Sequence, residues 1–159
     1  MPTRRFAQVD VFTATPYLGN PLAVVLDGDG LDDRTMQRIA NWTNLSETTF
    51  VVPPTDQRAD YGVRIFSTDR ELPFAGHPTL GTCHAWLEGG GIPHGEDIVQ
   101  ECGVGLIQIR RDGKRLAFAA PPRRRAGPLD EAEVAIIARG LGVDRGEIIH
   151  HAWCDNGPA

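Results

Sequence analysis

Polar and apolar positions change period along this chain. From Phe6 to Phe12, Ala7, Val9 and Val11 alternate with Gln8 and Asp10, the two-residue period of a half-buried strand. A loop then ends in Gly19-Asn20-Pro21. Leu22 to Leu26 is a continuous apolar run, as expected of a fully buried strand. Asp27-Gly28-Asp29-Gly30 breaks that run. Met36, Ile39 and Ala40 then share one face of a helix that Asp32 or Asp33 can cap, ending around Trp42 to Asn44. Thr48 to Val52 is β-branched and aromatic, a strand stopped by Pro53-Pro54. Tyr61 to Phe66 reads as the next strand, with Val63 and Ile65 on one face.

The stretch from Glu71 to Leu87 is a turn that runs into a helix. Pro73 disfavours an α conformation at Leu72. Gly76 permits backbone angles that other residues avoid, and Pro78 suits the first helical position, where its missing N–H is not needed. Leu80, Cys83, His84 and Leu87 recur at helical spacing, and Glu88-Gly89-Gly90-Gly91 ends the helix. Ile98 to Glu101 and Leu106 to Arg111 read as strands. Asp112-Gly113 is a hairpin turn, and Leu116 to Ala119 is the returning strand. After Pro121-Pro122, Asp130 caps a helix from Glu131 to Gly140 with Val134, Ile137 and Leu141 on one face, closed by Gly142. Ile148-Ile149 is expected to form a last short strand. Many short strands with few helices predict an α+β fold rather than alternating βαβ units.

Composition narrows the picture. A chain of 159 residues is expected to form one domain over 1–159. A net charge of −5 argues against general affinity for nucleic acid or acidic membranes. The dense basic run Arg123-Arg124-Arg125 follows two prolines and reads as a solvated loop. Neither a signal-peptide core nor a membrane-spanning window is evident, so a soluble, cytoplasmic protein is expected. Cys83, Cys102 and Cys154 are too scattered for a disulfide framework.

Candidate chemistry concentrates at element boundaries. A helix start at Gly76-His77 exposes backbone N–H groups that suit a carboxylate or other anion. Glu47 lies where a loop becomes a strand, a place where an acid can face a cleft. Each has a plain structural reading, a turn and a solvated carboxylate. A metal shared by His77 and His84 is not expected, since seven helical residues separate them by ~10 Å. His150-His151 with Cys154 lacks a second ligand cluster. The glycine clusters at 89–91 and 103–105 match neither the phosphate-loop nor the dinucleotide pattern, and no Gly-x-Ser-x-Gly elbow occurs. What remains is an acid and an imidazole, Glu47 and His77, a pair suited to proton transfer.

Four stretches in order resemble the phenazine-biosynthesis PhzF family of isomerases. They are Gly19-Asn20-Pro21-Leu22-Ala23-Val24, Ser46-Glu47-Thr48-Thr49-Phe50, Arg64 to Ser67 continuing through Glu71-Leu72-Pro73-Phe74-Ala75-Gly76-His77-Pro78-Thr79-Leu80-Gly81, and the terminal Asn156-Gly157-Pro158. The resemblance implies the diaminopimelate-epimerase-like fold, a mixed and largely antiparallel sheet wrapped around a central helix. The helix after Gly76-His77 would be that central one. It implies that Glu47 is the catalytic acid–base and that Gly76 and His77 contact a small carboxylate-bearing substrate, with no cofactor and no metal. The related two-thiol epimerases would place a cysteine at Ala75, so a cysteine-pair mechanism is not expected.

The resemblance covers the N-terminal half of the family pattern. The second domain would supply an aspartate and a Gly-Ser segment, and residues 154–159 would be its first piece. Three functional classes therefore stay open: a proton-shift isomerase, a binding domain without turnover, and an idle interaction domain or fragment of a longer isomerase. A twofold homodimer is expected, its interface standing in for the interdomain contact. Proton transfer by Glu47 would work best if an apolar cleft raised its pKa.

Overall fold

The computed structural model describes residues 3–113 and 115–155. Their contacts group into two compact units, one running to Pro121 and the other beginning at Pro122. The first contains β1 (Phe6–Val11), β2 (Asn20–Val25), α1 (Asp33–Thr43), β3 (Glu47–Val52), β4 (Tyr61–Ser67), β5 (Glu71–Leu72), α2 (Gly76–Glu88), β6 (Ile98–Cys102), β7 (Gly105–Asp112) and β8 (Arg115–Phe118). Its sheet runs in the order β1-β2-β3-β4-β6-β7-β8, with β5 also on β4. The β2/β3 and β4/β6 pairs are parallel and the others antiparallel. The sheet is therefore mixed, as expected for an α+β fold.

Strand alternation sends the two faces of β3 to two different helices. Phe50 packs with Met36 and Ala40 of α1 and with Phe66 of β4, the two rings meeting edge to face at 5.6 Å. Val51, Val63 and Ile65 point the other way, into the cluster that includes Cys83 and Ala85 of α2. Thr49 shares that second face, and its hydroxyl oxygen accepts from the Thr82 hydroxyl at 2.7 Å. The period of two thus places Glu47 on the α2 side of the sheet as well.

The central helix is buried around most of its circumference. His77, Pro78, Thr79, Gly81, Thr82, Cys83 and Ala85 are all buried. Small residues let the strands approach: a Cβ on Gly81 would lie 2.6 Å from Leu22 Cδ2 and 2.8 Å from Val11 Cγ2. The single apolar stripe expected at Leu80, Cys83, His84 and Leu87 is not what decides burial. Cys83 is buried, His84 is exposed, and Leu80 and Leu87 are intermediate. Leu80, His84, Leu87 and Glu88 instead share the more open side of the helix, while small residues fill its contacts with the strands, so size at the contact outweighs hydrophobic periodicity.

Capping follows the sequence signals. Asp32 Oδ1 accepts from Thr35 N at 2.7 Å, and Asn44 takes the left-handed conformation after α1. Gly89 to Gly91 donate back to Ala85, Leu87 and Trp86 carbonyls and end α2. Asp112 pairs with Arg115 across the β7–β8 hairpin, with Gly113 at φ +59°.

The second unit contains β9 (Arg125–Gly127), α3 (Glu131–Leu141), a single 3₁₀ turn (Arg145–Glu147) and β10 (Trp153–Asp155). Asp130 and Glu133 form a reciprocal capping box at α3, and Gly142 closes it at φ +70°. The buried face is Val134 with Ala138, whereas Ile137 and Leu141 are exposed. Ile148-Ile149 does not form the expected strand: the chain there follows the 3₁₀ turn without pairing. Trp153–Asp155 pairs antiparallel with Arg125–Gly127 instead, and the Arg125 guanidinium lies 3.5 Å from the Trp153 ring centroid. Arg125, part of the arginine run read as loop, thus opens a short strand, and its guanidinium has a π-face to lie on. The terminal Asn156-Gly157-Pro158 motif lies outside the described residues.

Candidate active site

The site forms where the start of β3 meets the start of α2. Glu47 is the first residue of β3 and pairs with Ser67. His77 is the second residue of α2, after an N-cap at Ala75 that makes no side-chain cap. Glu47 Oε2 lies 3.1 Å from His77 Nδ1, with side chains 18% and 7% exposed. The contact is close but poorly directed. Neither Glu47 Oε2 nor His77 Nε2, both buried, has a hydrogen-bond partner among the described residues. Buried polar atoms are usually paired, so two open positions side by side form a polar gap at the mouth of the helix.

Electrostatics set Glu47's protonation. The His77 imidazole beside it draws the carboxyl below its ordinary value, burial opposes this, and the Ser46 hydroxyl adds to the lowering. The direction is opposite to the rise expected from an apolar cleft. Desolvation is present, but it is the smaller effect beside a direct neighbour that favours the anion. Glu47 therefore rests as a carboxylate at neutral pH.

The first turn of α2 is anchored from behind. Ala75 C=O accepts both Thr79 N at 3.1 Å and Thr79 Oγ1 at 2.9 Å. Gln100 Nε2 donates to that same Thr79 hydroxyl at 3.3 Å, and Tyr61 Oη donates to Gln100 Oε1 at 3.0 Å. All four residues are buried. Pro78 has no N–H, so the amides at the helix opening belong to Gly76 and His77.

Glu47, Gly76 and His77, singled out in the sequence, come together. Other neighbours were legible only as parts of motifs. The Ser46 hydroxyl lies 3.4 Å from Asn20 Oδ1, at the start of β2. A Cβ on Gly76 would lie 3.1 Å from Phe118 Cζ. Phe12, whose ring centroid is 6.3 Å from that of His77, carried no sequence signal for a site. Ala75 is the N-cap of α2, and the cysteines are elsewhere, at Cys83, Cys102 and Cys154. Burial pushes the Cys83 thiol up to about 11 and raises that of Cys102. Among the described residues, no group of three or more His, Cys, Asp or Glu is placed to hold a metal ion. No described helix is long and apolar enough to cross a membrane.

Similarity to known proteins follows the same geometry. The chain is 43% identical over 155 residues to an uncharacterized isomerase of Mesorhizobium japonicum, covering 93% of this chain and 50% of that one. It is 42% identical over 116 residues to the trans-2,3-dihydro-3-hydroxyanthranilate isomerase of Pseudomonas aeruginosa, covering 71% and 40%. The solved structure of a predicted epimerase from Pseudomonas aeruginosa superposes with a TM-score of 0.76 at 28% identity, covering 94% of this chain and 54% of that one. The chain thus spans about half the length of the relatives it matches. Its sheet around a central helix is the diaminopimelate-epimerase-like fold. With the family pattern matched over residues 9–157, the chain belongs to the phenazine biosynthesis-like protein family.

Proposed function

We propose that this chain carries the proton-transferring half of a cofactor-independent isomerase site, with Glu47 as the acid–base. The observation that carries this reading is the pair of buried atoms at the opening of α2, Glu47 Oε2 and His77 Nε2, that have no hydrogen-bond partner among the described residues. The Glu47 carboxylate takes a proton from one carbon of the substrate. The electron pair left behind shifts through the adjacent unsaturated system, and the Glu47 carboxylic acid returns a proton to a different carbon. The group ends as it began, so no redox partner enters the balance. A lowered pKa leaves the resting group as the base and makes the captured proton easy to give back.

The substrate in this reading is a small carboxylate. Its anionic group would take the Gly76 and His77 amides, with the positive end of the helix dipole adding to the attraction. The relative from Pseudomonas aeruginosa acts on trans-2,3-dihydro-3-hydroxyanthranilate, which makes that compound the first substrate to try. In the whole protein, groups from outside this half would complete the site.

The test is turnover of trans-2,3-dihydro-3-hydroxyanthranilate by the chain and by Glu47→Gln, followed by NMR. The substitution keeps the shape and removes the titration. Loss of about 100-fold or more is expected, the usual worth of general acid–base catalysis. A variant within tenfold of the parent overturns the role of Glu47. A second reading, which the anion-holding turn at Gly76 and His77 favours, is a binding domain without turnover. An unchanged compound that still shifts the His77 ring resonances would select it.

A further inference from the structure

We propose that Phe12 is a specificity-determining residue of this site, selecting carboxylates that carry a flat ring over those that carry a short chain. The proposal rests on the reading of Gly76 and His77 as the carboxylate-holding turn. Phe12 follows directly after β1 and is 71% exposed. Its backbone is left-handed, at φ +67°. A large aromatic side chain is an unfavourable occupant of such a position, since its Cβ crowds the backbone and its ring faces water. Strain that persists at a named residue is a reason to look for function there.

The surrounding loop holds Phe12 in this conformation. Asp10 Oδ2 accepts from Tyr17 N at 2.6 Å, and Thr13 and Thr15 bond each other through the Thr13 hydroxyl. A Cβ on Gly19 would lie 2.2 Å from Val11 O and 2.4 Å from Asp10 Oδ1, so the loop closes tightly onto the end of β1. The result is a Phe12 ring set 47° to the His77 ring with centroids 6.3 Å apart. His77 Nε2, like Glu47 Oε2, is a buried atom without a hydrogen-bond partner among the described residues. A ligand carboxylate at the Gly76–His77 turn would bring its own body alongside the exposed face of Phe12. A flat unsaturated ring gains an offset or edge contact there, whereas an acetate methyl reaches little of it.

The experiment titrates the chain with acetate and with benzoate, reading both dissociation constants from the His77 ring resonances by NMR. Parent protein is compared with Phe12→Ala, Phe12→Gly and Phe12→Tyr. Glycine accepts a positive φ, so Phe12→Gly gives a folded ring-less protein even where the alanine variant does not. Phe12→Ala and Phe12→Gly are expected to lower the preference for benzoate over acetate about three- to tenfold, the usual worth of one aromatic contact. Acetate binding stays within twofold, and Phe12→Tyr keeps the preference. If acetate still moves His77 but the preference is the same in all variants, the role of Phe12 is overturned and the site stands. If neither acid moves the His77 resonances of the parent, both the site and the proposal fall.

Discussion

Glu47 Oε2 and His77 Nδ1 are 3.1 Å apart, although one residue opens a strand and the other a helix. Two ordinary local rules bring them there. Alternation along β3 turns Glu47 toward α2, and the Ala75 N-cap starts that helix two residues before His77. The contact is close without being a well-directed hydrogen bond, so it biases the charge on Glu47 while leaving Oε2 open. A group that must give and take a proton needs both properties.

The first prediction concerns pH. Glu47 is held below its reference value of 4.5, with His77 as the largest cause and burial opposing it. The group is more acidic folded than unfolded. Its contribution to stability is therefore fully present above the unfolded value and is lost as pH falls through the lower folded one. A carbon-13 titration of the Glu47 carboxyl should show a midpoint below 4.5. His77→Ala should move it upward, since burial then acts with less opposition. A parent midpoint above 4.5 would contradict the assigned cause.

A second prediction addresses the thiols. Cys83 is buried and its thiol lies near 11, so almost none is thiolate at pH 8. Iodoacetamide should label the exposed Cys154 in the native protein and leave Cys83 untouched until denaturant is added. Peptide mass analysis decides it, and rapid native labelling of Cys83 would be inconsistent with its place under the sheet.

The buried chain behind the helix start gives a third. Gln100→Leu strands the Tyr61 hydroxyl, which donates to Gln100 Oε1. An unsatisfied buried group costs about 1–3 kcal/mol, and the substitution should lower stability by that amount. Adding Tyr61→Phe removes the stranded hydroxyl and should restore part of the loss. Urea unfolding of the two single variants and the double variant measures the coupling. Strictly additive losses would mean that the two side chains do not act together.

Gly19→Ala is the fourth. The added Cβ would meet a backbone oxygen at 2.2 Å, which a side-chain rotation cannot relieve. The loop from Phe12 to Gly19 must move, at a cost of roughly 1–3 kcal/mol by analogy with overpacked sites. Thermal unfolding should show the loss, and the His77 ring resonances should shift because Phe12 is carried along. A variant as stable as the parent would mean that the loop accommodates the methyl group freely.

Much of this was legible in the sequence because it depends on neighbours along the chain. Alternation located β1 and β4, β-branched and aromatic content located β3, and Asp32, Asp130, Gly89 and Gly142 marked helix ends through bonds to adjacent turns. The same local signals placed Glu47 and Gly76-His77 at element boundaries. Tertiary structure decided whatever depended on the far side of a contact. The wet and dry sides of α2 follow from strands that surround it, so the Leu80–Leu87 stripe predicted burial poorly. Pairing of Trp153–Asp155 with Arg125–Gly127, rather than a strand at Ile148-Ile149, depends on a partner more than twenty residues away. The direction of the Glu47 shift is of the same kind. Sequence supplied the acid and the prospect of burial, but only folding set an imidazole 3.1 Å from it. At that range a neighbouring charge or donor outweighs partial desolvation, and no reading of residues in order contains that distance.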